Sequence, residues 1–178
     1  MRPGIALAIV VLSSGSAAAE RTMTVVLGGL IGGVEQGDVE TTAMEPAGGA
    51  RLVLSFEHPQ PTRPETHHDV TLVPELIGAA VLGADRGEAM VGVGARGEVR
   101  ISLGDHGWRT AFYAAGRALV VGSDTDPAGE VALGEYIYIG KSRLRFGGEG
   151  SLLLRKTDAL MNGSQRGILV SAYLGWSM

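Results

Sequence analysis

Few residues in this chain could do chemistry, and each set sits in a context that weakens it. Gly92-Val93-Gly94-Ala95-Arg96-Gly97 spells G-x-G-x-x-G. That motif cradles a dinucleotide pyrophosphate only between a strand and a helix. Here it runs on into Glu98-Val99-Arg100-Ile101, so the glycines read as room-makers inside one strand. His67-His68-Asp69 has the residue types of a metal fragment, with His58 and His106 elsewhere. Adjacent histidines on one turn more often face water than hold an ion. Asp124 and Asp126, with Glu130 nearby, could meet Ca2+, but the central Gly and the remaining ligands of a calcium loop are missing. Ser102 and His106 are the residue types of a hydrolytic centre, and no third member is placed beside them. Asn162-Gly163-Ser164 reads as a turn. The chain has no Cys, which excludes disulfides and thiolate metal sites. The expectation is a protein with no cofactor, no metal and no catalytic centre.

A larger set of charges raises a different question. Glu75, Arg96, Glu98, Arg100, Arg109, Arg117, Arg145 and Glu149 all fall on the polar side of alternating segments. If such side chains are enclosed, they must pair, because an unpaired buried charge is costly. They would then plug whatever encloses them. Because arginines outnumber carboxylates in this set, they could instead line a narrow anion-preferring pore.

The enclosing elements are strands. From Glu88 to Leu103 the odd positions are Ala89, Val91, Val93, Ala95, Gly97, Val99, Ile101 and Leu103, while the even ones are mostly Gly, Arg and Glu. This is a period of two, and its length exceeds the five or six residues usual in a soluble strand. Segments 50–57, 143–155 and 167–178 repeat the pattern. Segments 23–33, 71–84, 108–122 and 130–141 do so more weakly, which makes eight. Pro74–Leu82 and Ala111–Val121 also have helical character, but their turn-like flanks favour strands. Glu135, between Leu133 and Ile137, interrupts an apolar face. It implies either a bulge there or outward-facing Tyr136 and Tyr138. Links at 84–87, 104–107 and 140–142 are tight turns. Longer links are Val34–Gly49, His58–His68, Ser123–Gly129 and Lys156–Arg166, none long enough for a crossover helix.

The N-terminus is read separately. Met1-Arg2, the apolar run Gly4–Leu12 and the small residues Ala17-Ala18-Ala19 before Glu20 have the order of a secretory signal peptide. Cleavage is expected between Ala19 and Glu20, with Ala17 and Ala19 read by the peptidase. This leaves residues 20–178 as a single domain. Losing Arg2 takes the net charge from −4 to −5. That mild acidity, without a basic stripe, argues against nucleic acid.

Alternation alone does not say which face meets solvent. Apolar-in gives a soluble lipocalin-like barrel that could hold a small apolar ligand, and apolar-out gives a membrane barrel. The apolar faces are small and aliphatic, the polar faces mix Gly with long charges, and charges are sparse on the apolar side. These favour the membrane form: all-β, a closed eight-stranded antiparallel up-and-down transmembrane barrel. Aromatics at 5% are few for a barrel with girdles at both interfaces.

With those segments in place, the chain resembles the small eight-stranded outer-membrane barrels of Gram-negative bacteria, the OmpA-type and OmpX-type proteins. The resemblance is architectural. Its most specific piece is the last strand, where that group carries an assembly signal. Ser171, Trp176 and Met178 match its polar, penultimate and terminal positions, whereas Tyr173 stands where Gly is expected and Met178 replaces Phe. The resemblance implies outer-membrane lipid and the assembly machinery as partners, and termini in the periplasm. A monomeric, non-enzymatic envelope protein acting through exposed loops is the leading expectation. A soluble apolar-ligand binder, a narrow pore and a lipid-modifying enzyme remain open.

Overall fold

In the computed structural model, residues 22–36, 43–57, 70–83, 87–102, 108–122, 126–139, 143–156 and 164–178 are described. They form eight strands: β1 (Thr22–Gln36), β2 (Ala43–Glu57), β3 (Val70–Leu82), β4 (Gly87–Ser102), β5 (Arg109–Val121), β6 (Asp126–Tyr138), β7 (Leu144–Lys156) and β8 (Ser164–Ser177). Each pairs antiparallel with its sequence neighbour. β1 and β8 close the ring, with Val25 opposite Trp176 and Leu30 opposite Ser171. This is the closed up-and-down barrel expected. Pro74–Leu82 and Ala111–Val121 lie in β3 and β5, because a barrel wall leaves no interstrand gap for a helix to fill.

The strands run further than their alternation suggests at the end away from the termini. β1 stays paired with β2 to Gln36↔Ala43, which leaves only 37–42 of the expected Val34–Gly49 link. β6 starts at Asp126 and β8 at Ser164. The added stretches hold Pro46, Gly48, Pro127 and Gly129, poor strand formers that the wall carries because neighbouring strands already fix their backbone.

The wall is inverted relative to a soluble domain. Outward positions hold Ile31 (70% exposed), Leu133 (67%), Val91, Val131, Ile168 and Leu174, while Arg96 and Arg145 inside are fully buried. The register through Glu135 is unbroken. Val131, Leu133 and Glu135 are exposed, whereas Glu130, Ala132 and Tyr136 are buried. Both explanations expected for Glu135 are therefore wrong: no bulge intervenes, the tyrosines face in, and the carboxylate itself faces out. The apolar interior sits towards the end away from the termini, where Val81, Met90, Leu119, Val121, Leu153 and Leu169 pack together.

Inward glycines make room for large neighbours, as the G-x-G-x-x-G reading anticipates for Gly92 and Gly94, whereas Gly97 faces outward with only Val70 Cγ1 nearby, at 3.9 Å. A Cβ on Gly94 would lie 2.7 Å from Arg117 Cγ. One on Gly147 would lie 2.0 Å from the Glu135 carbonyl oxygen and 2.8 Å from Tyr173 Cε2, whereas outward Gly116 has nothing within 4 Å. Gly147→Ala is therefore expected to cost about 1–3 kcal/mol by overpacking. Gly116→Ala should stay within about 0.5 kcal/mol of the parent. Urea unfolding of the micelle-refolded barrel measures both, and equal effects would refute the steric account.

Candidate functional site

The interior nearer the termini is a single ionic network. Even-numbered positions of β4 place Arg96, Glu98 and Arg100 inward, odd-numbered β3 and β5 positions add Glu75 and Arg117, and β7 adds Arg145 and Glu149. Arg96 gives each guanidinium nitrogen to a different carboxylate: Nε to Glu98 at 2.9 Å, Nη1 to Glu75 at 2.5 Å and Nη2 to Glu57 at 2.9 Å. Arg117 donates to Glu75 at 3.1 Å, to Glu130 at 3.1 Å and to Glu149 through two nitrogens at 2.6 Å. Arg51 binds Glu130 at 2.5 Å and also Glu149. Arg100 joins Glu57 to Glu98, and Arg145 joins Glu57 to Tyr138 and Ser55. Each of the glutamates Glu57, Glu75, Glu98, Glu130 and Glu149 thus touches at least two arginines. Glu75 bridges the Arg96 and Arg117 halves.

The four tyrosines line this same region. Tyr113 stacks on Tyr136 with centroids 4.9 Å apart, and the Arg145 and Arg96 guanidinium carbons lie 4.3 and 5.1 Å from the Tyr136 centroid. Desolvated cation–π contacts of this kind are worth about 2 kcal/mol. They soften the several kcal/mol lost when each ion leaves water. The Tyr113 and Tyr173 hydroxyls meet, Tyr113 also donates to Glu149 at 2.9 Å, and Tyr173 donates to the Gly148 carbonyl at 2.9 Å.

All eight charges singled out from the sequence face inward, and seven belong to this network. Arg109 sits at its edge, 5.5 Å from the Tyr138 ring centroid. Sequence reasoning left out Arg51 and Glu57, although their strand's alternation already placed them on its polar side. It set Glu130 beside Asp124 as a calcium ligand. Instead Glu130 is held by Arg51 and Arg117, and Asp126 by Arg155 at 2.8 Å, with Glu88 on the same arginine at 2.7 Å. The excess of arginine also disappears. Among the described inward residues, the seven arginines Arg51, Arg96, Arg100, Arg109, Arg117, Arg145 and Arg155 are more than matched in number by the eight carboxylates Glu45, Glu57, Glu75, Glu88, Glu98, Asp126, Glu130 and Glu149, so the argument for anion preference fails. The cavity bounded by Arg51, Arg117, Glu149, Ser171 and Tyr173 is about 10 Å3, room for about one water molecule.

This barrel is similar to neisserial surface protein A. The crystal structure of that protein matches 86% of this chain and 96% of its own, with a TM-score of 0.55 and 10% sequence identity. At that identity the likeness is one of fold. No family model matches the chain, and no curated protein matches it by sequence. The fold of neisserial surface protein A is thus reached here with almost entirely different side chains.

The remaining motifs divide between the described residues and the rest. Gly92, Gly94 and Gly97 lie within β4, flanked by strands on both sides, so no helix N-terminus meets them. His58, His67, His68, His106, Asp124, Asn162 and Gly163 lie outside the described residues, as does the expected leader with Ala17, Ala19 and Glu20. Among the described residues no group of three metal-ligating side chains occurs. In β8, Ser171 and Tyr173 face inward and Trp176 faces outward, and Met178, just beyond the strand, is exposed. Tyr173 occupies a place expected for Gly because Gly147 and Gly28 across the two seams leave space for its ring.

Proposed function

We infer that the chain is a non-enzymatic outer-membrane barrel, exported through a cleaved leader and folded by the outer-membrane assembly machinery. Its lumen is plugged by paired charges, and it acts as a monomer in envelope structure or in contact through the links away from the termini. One observation carries the reading: aliphatic side chains are exposed around the ring while the arginines and glutamates are buried. In water this arrangement would waste the burial of apolar surface, about 25 cal/mol per Å2. In hydrocarbon it is the favourable arrangement, since every backbone polar group of a closed barrel is paired. The likeness in fold to a surface protein supports the same address.

Spin labels on single cysteines along β4 test it, since the chain has no Cys. With the protein in vesicles, labels at 91, 93, 95 and 99 should collide with lipid-soluble oxygen and be shielded from a water-soluble relaxant. Labels at 94, 96 and 98 should be shielded from both. Odd positions that instead meet the water-soluble relaxant would refute the membrane reading.

A further inference from the structure

All nine aromatic residues of the chain lie in the half of the barrel that carries the termini, and they sort by type. The four tyrosines point in, and Phe56, Trp108, Phe112, Phe146 and Trp176 point out. Trp108 immediately precedes β5, Phe56 and Trp176 are one residue from strand ends, and Phe146 and Phe112 are two and three residues in. The opposite rim has no aromatic residue. Glu135 stands within this single belt, exposed, with Phe112 directly across from it on β5 and Gly148 on β7. Its carboxylate has no polar partner among the described residues.

Depth follows from strand geometry. Glu135 is three residues from the end of β6, so at a rise of about 3.3 Å and a tilt of about 40° it lies roughly 8 Å from the strand end. A strand of thirteen residues spans about 33 Å at that tilt, against an apolar band of about 25 Å. Glu135 therefore sits at the inner edge of the headgroup boundary, about one side-chain length from it. A carboxylate there needs a cation. One carboxylate without further oxygens is too poor a ligand set for a divalent ion, which takes six or more.

We propose that Glu135 and its flanking aromatics form a docking surface for a phospholipid with a primary ammonium headgroup, of the phosphatidylethanolamine kind, in the leaflet at the terminal end. Phe112 and Phe146 pack against the upper acyl chain, and the Glu135 carboxylate accepts hydrogen bonds from the ammonium. A quaternary choline headgroup has no N–H to donate. The proposal rests on the membrane reading above.

The test uses the mature chain in vesicles of phosphatidylcholine mixed with equal-chain phosphatidylethanolamine, followed by native mass spectrometry of retained lipid. The parent should retain the ethanolamine lipid over the choline lipid by about two- to fivefold, the range of an exposed ion pair. Glu135→Gln should abolish that preference, Glu135→Asp should keep part of it, and Glu35→Gln at the opposite rim should leave it intact. Quenching of Trp108 and Trp176 by brominated lipid, read on the same samples, reports insertion independently. Quenching without any headgroup preference overturns the proposal and leaves the membrane barrel standing, whereas no quenching overturns both. A change in oligomeric state with Glu135→Gln, in place of a change in lipid retention, overturns it in favour of a second copy of the chain.

Discussion

Glu75→Ala is expected to destabilise the barrel by about 3–5 kcal/mol, the cost of breaking a buried pair and leaving the other charge uncompensated. Glu75 is buried, takes Nη1 of Arg96 on one oxygen and Nε of Arg117 on the other, and is the ion-pair bridge between the two halves of the network. Without it, Arg51, Arg96, Arg100, Arg117 and Arg145 face four glutamates, and the surplus positive charge stays in a lumen with little room for water. Urea unfolding of the micelle-refolded protein, followed by tryptophan fluorescence, gives the number. A loss below about 1 kcal/mol would mean that water reaches Arg96 and Arg117. The coupling is also testable, because residues sharing one network are not additive. Glu75→Ala combined with Arg117→Met should cost less than the two substitutions summed, since the pair removes one charge of each sign.

Ala95→Arg should cost about 2–4 kcal/mol in vesicles, as expected for a guanidinium near the bilayer midplane. Ala95 is the ninth of sixteen residues in β4, and its neighbours on the outer face are Pro74 and Gly116, so the new cation meets no carboxylate. In a soluble barrel the same change would add one solvated surface charge and fall within about 0.5 kcal/mol. The difference between these outcomes reads out the solvent around the wall. A near-neutral result in vesicles would sink the membrane reading even with the barrel intact.

What was legible beforehand followed local repetition. β4 alternates without a break, so its two faces and its place in a barrel could be read residue by residue. The first half of β2 and the start of β6 could not, because Pro46, Gly48, Pro127 and Gly129 lack strand propensity and owe their extended backbone to neighbouring strands. Glu135 misled for a related reason. Periodicity treats a charge on an apolar face as an error in register, although depth in the wall decides whether a charge is tolerated there. The inward direction of Glu75, Arg96 and Arg117 was available from parity. Their partners were not, since Arg51 meets Glu149 across 98 residues of chain and no local pattern encodes such a pairing. The low aromatic content counted against a barrel only while its residues were imagined at both rims, and in fact they gather at one.

The seam between β1 and β8 has a consequence for the order of events during biogenesis. Thr24 and Ser177, joined by their hydroxyls at 3.0 Å, are separated by 153 positions. The partner of the first strand is therefore the last of the eight strands to be synthesised. Until it arrives, the first strand keeps an open edge, a template for pairing with other chains. The final step also closes a very long loop, the kind of contact that slows folding most. The strands must consequently be shielded until all eight are present, since a wall lacking only β8 would carry two unpaired edges in place of none.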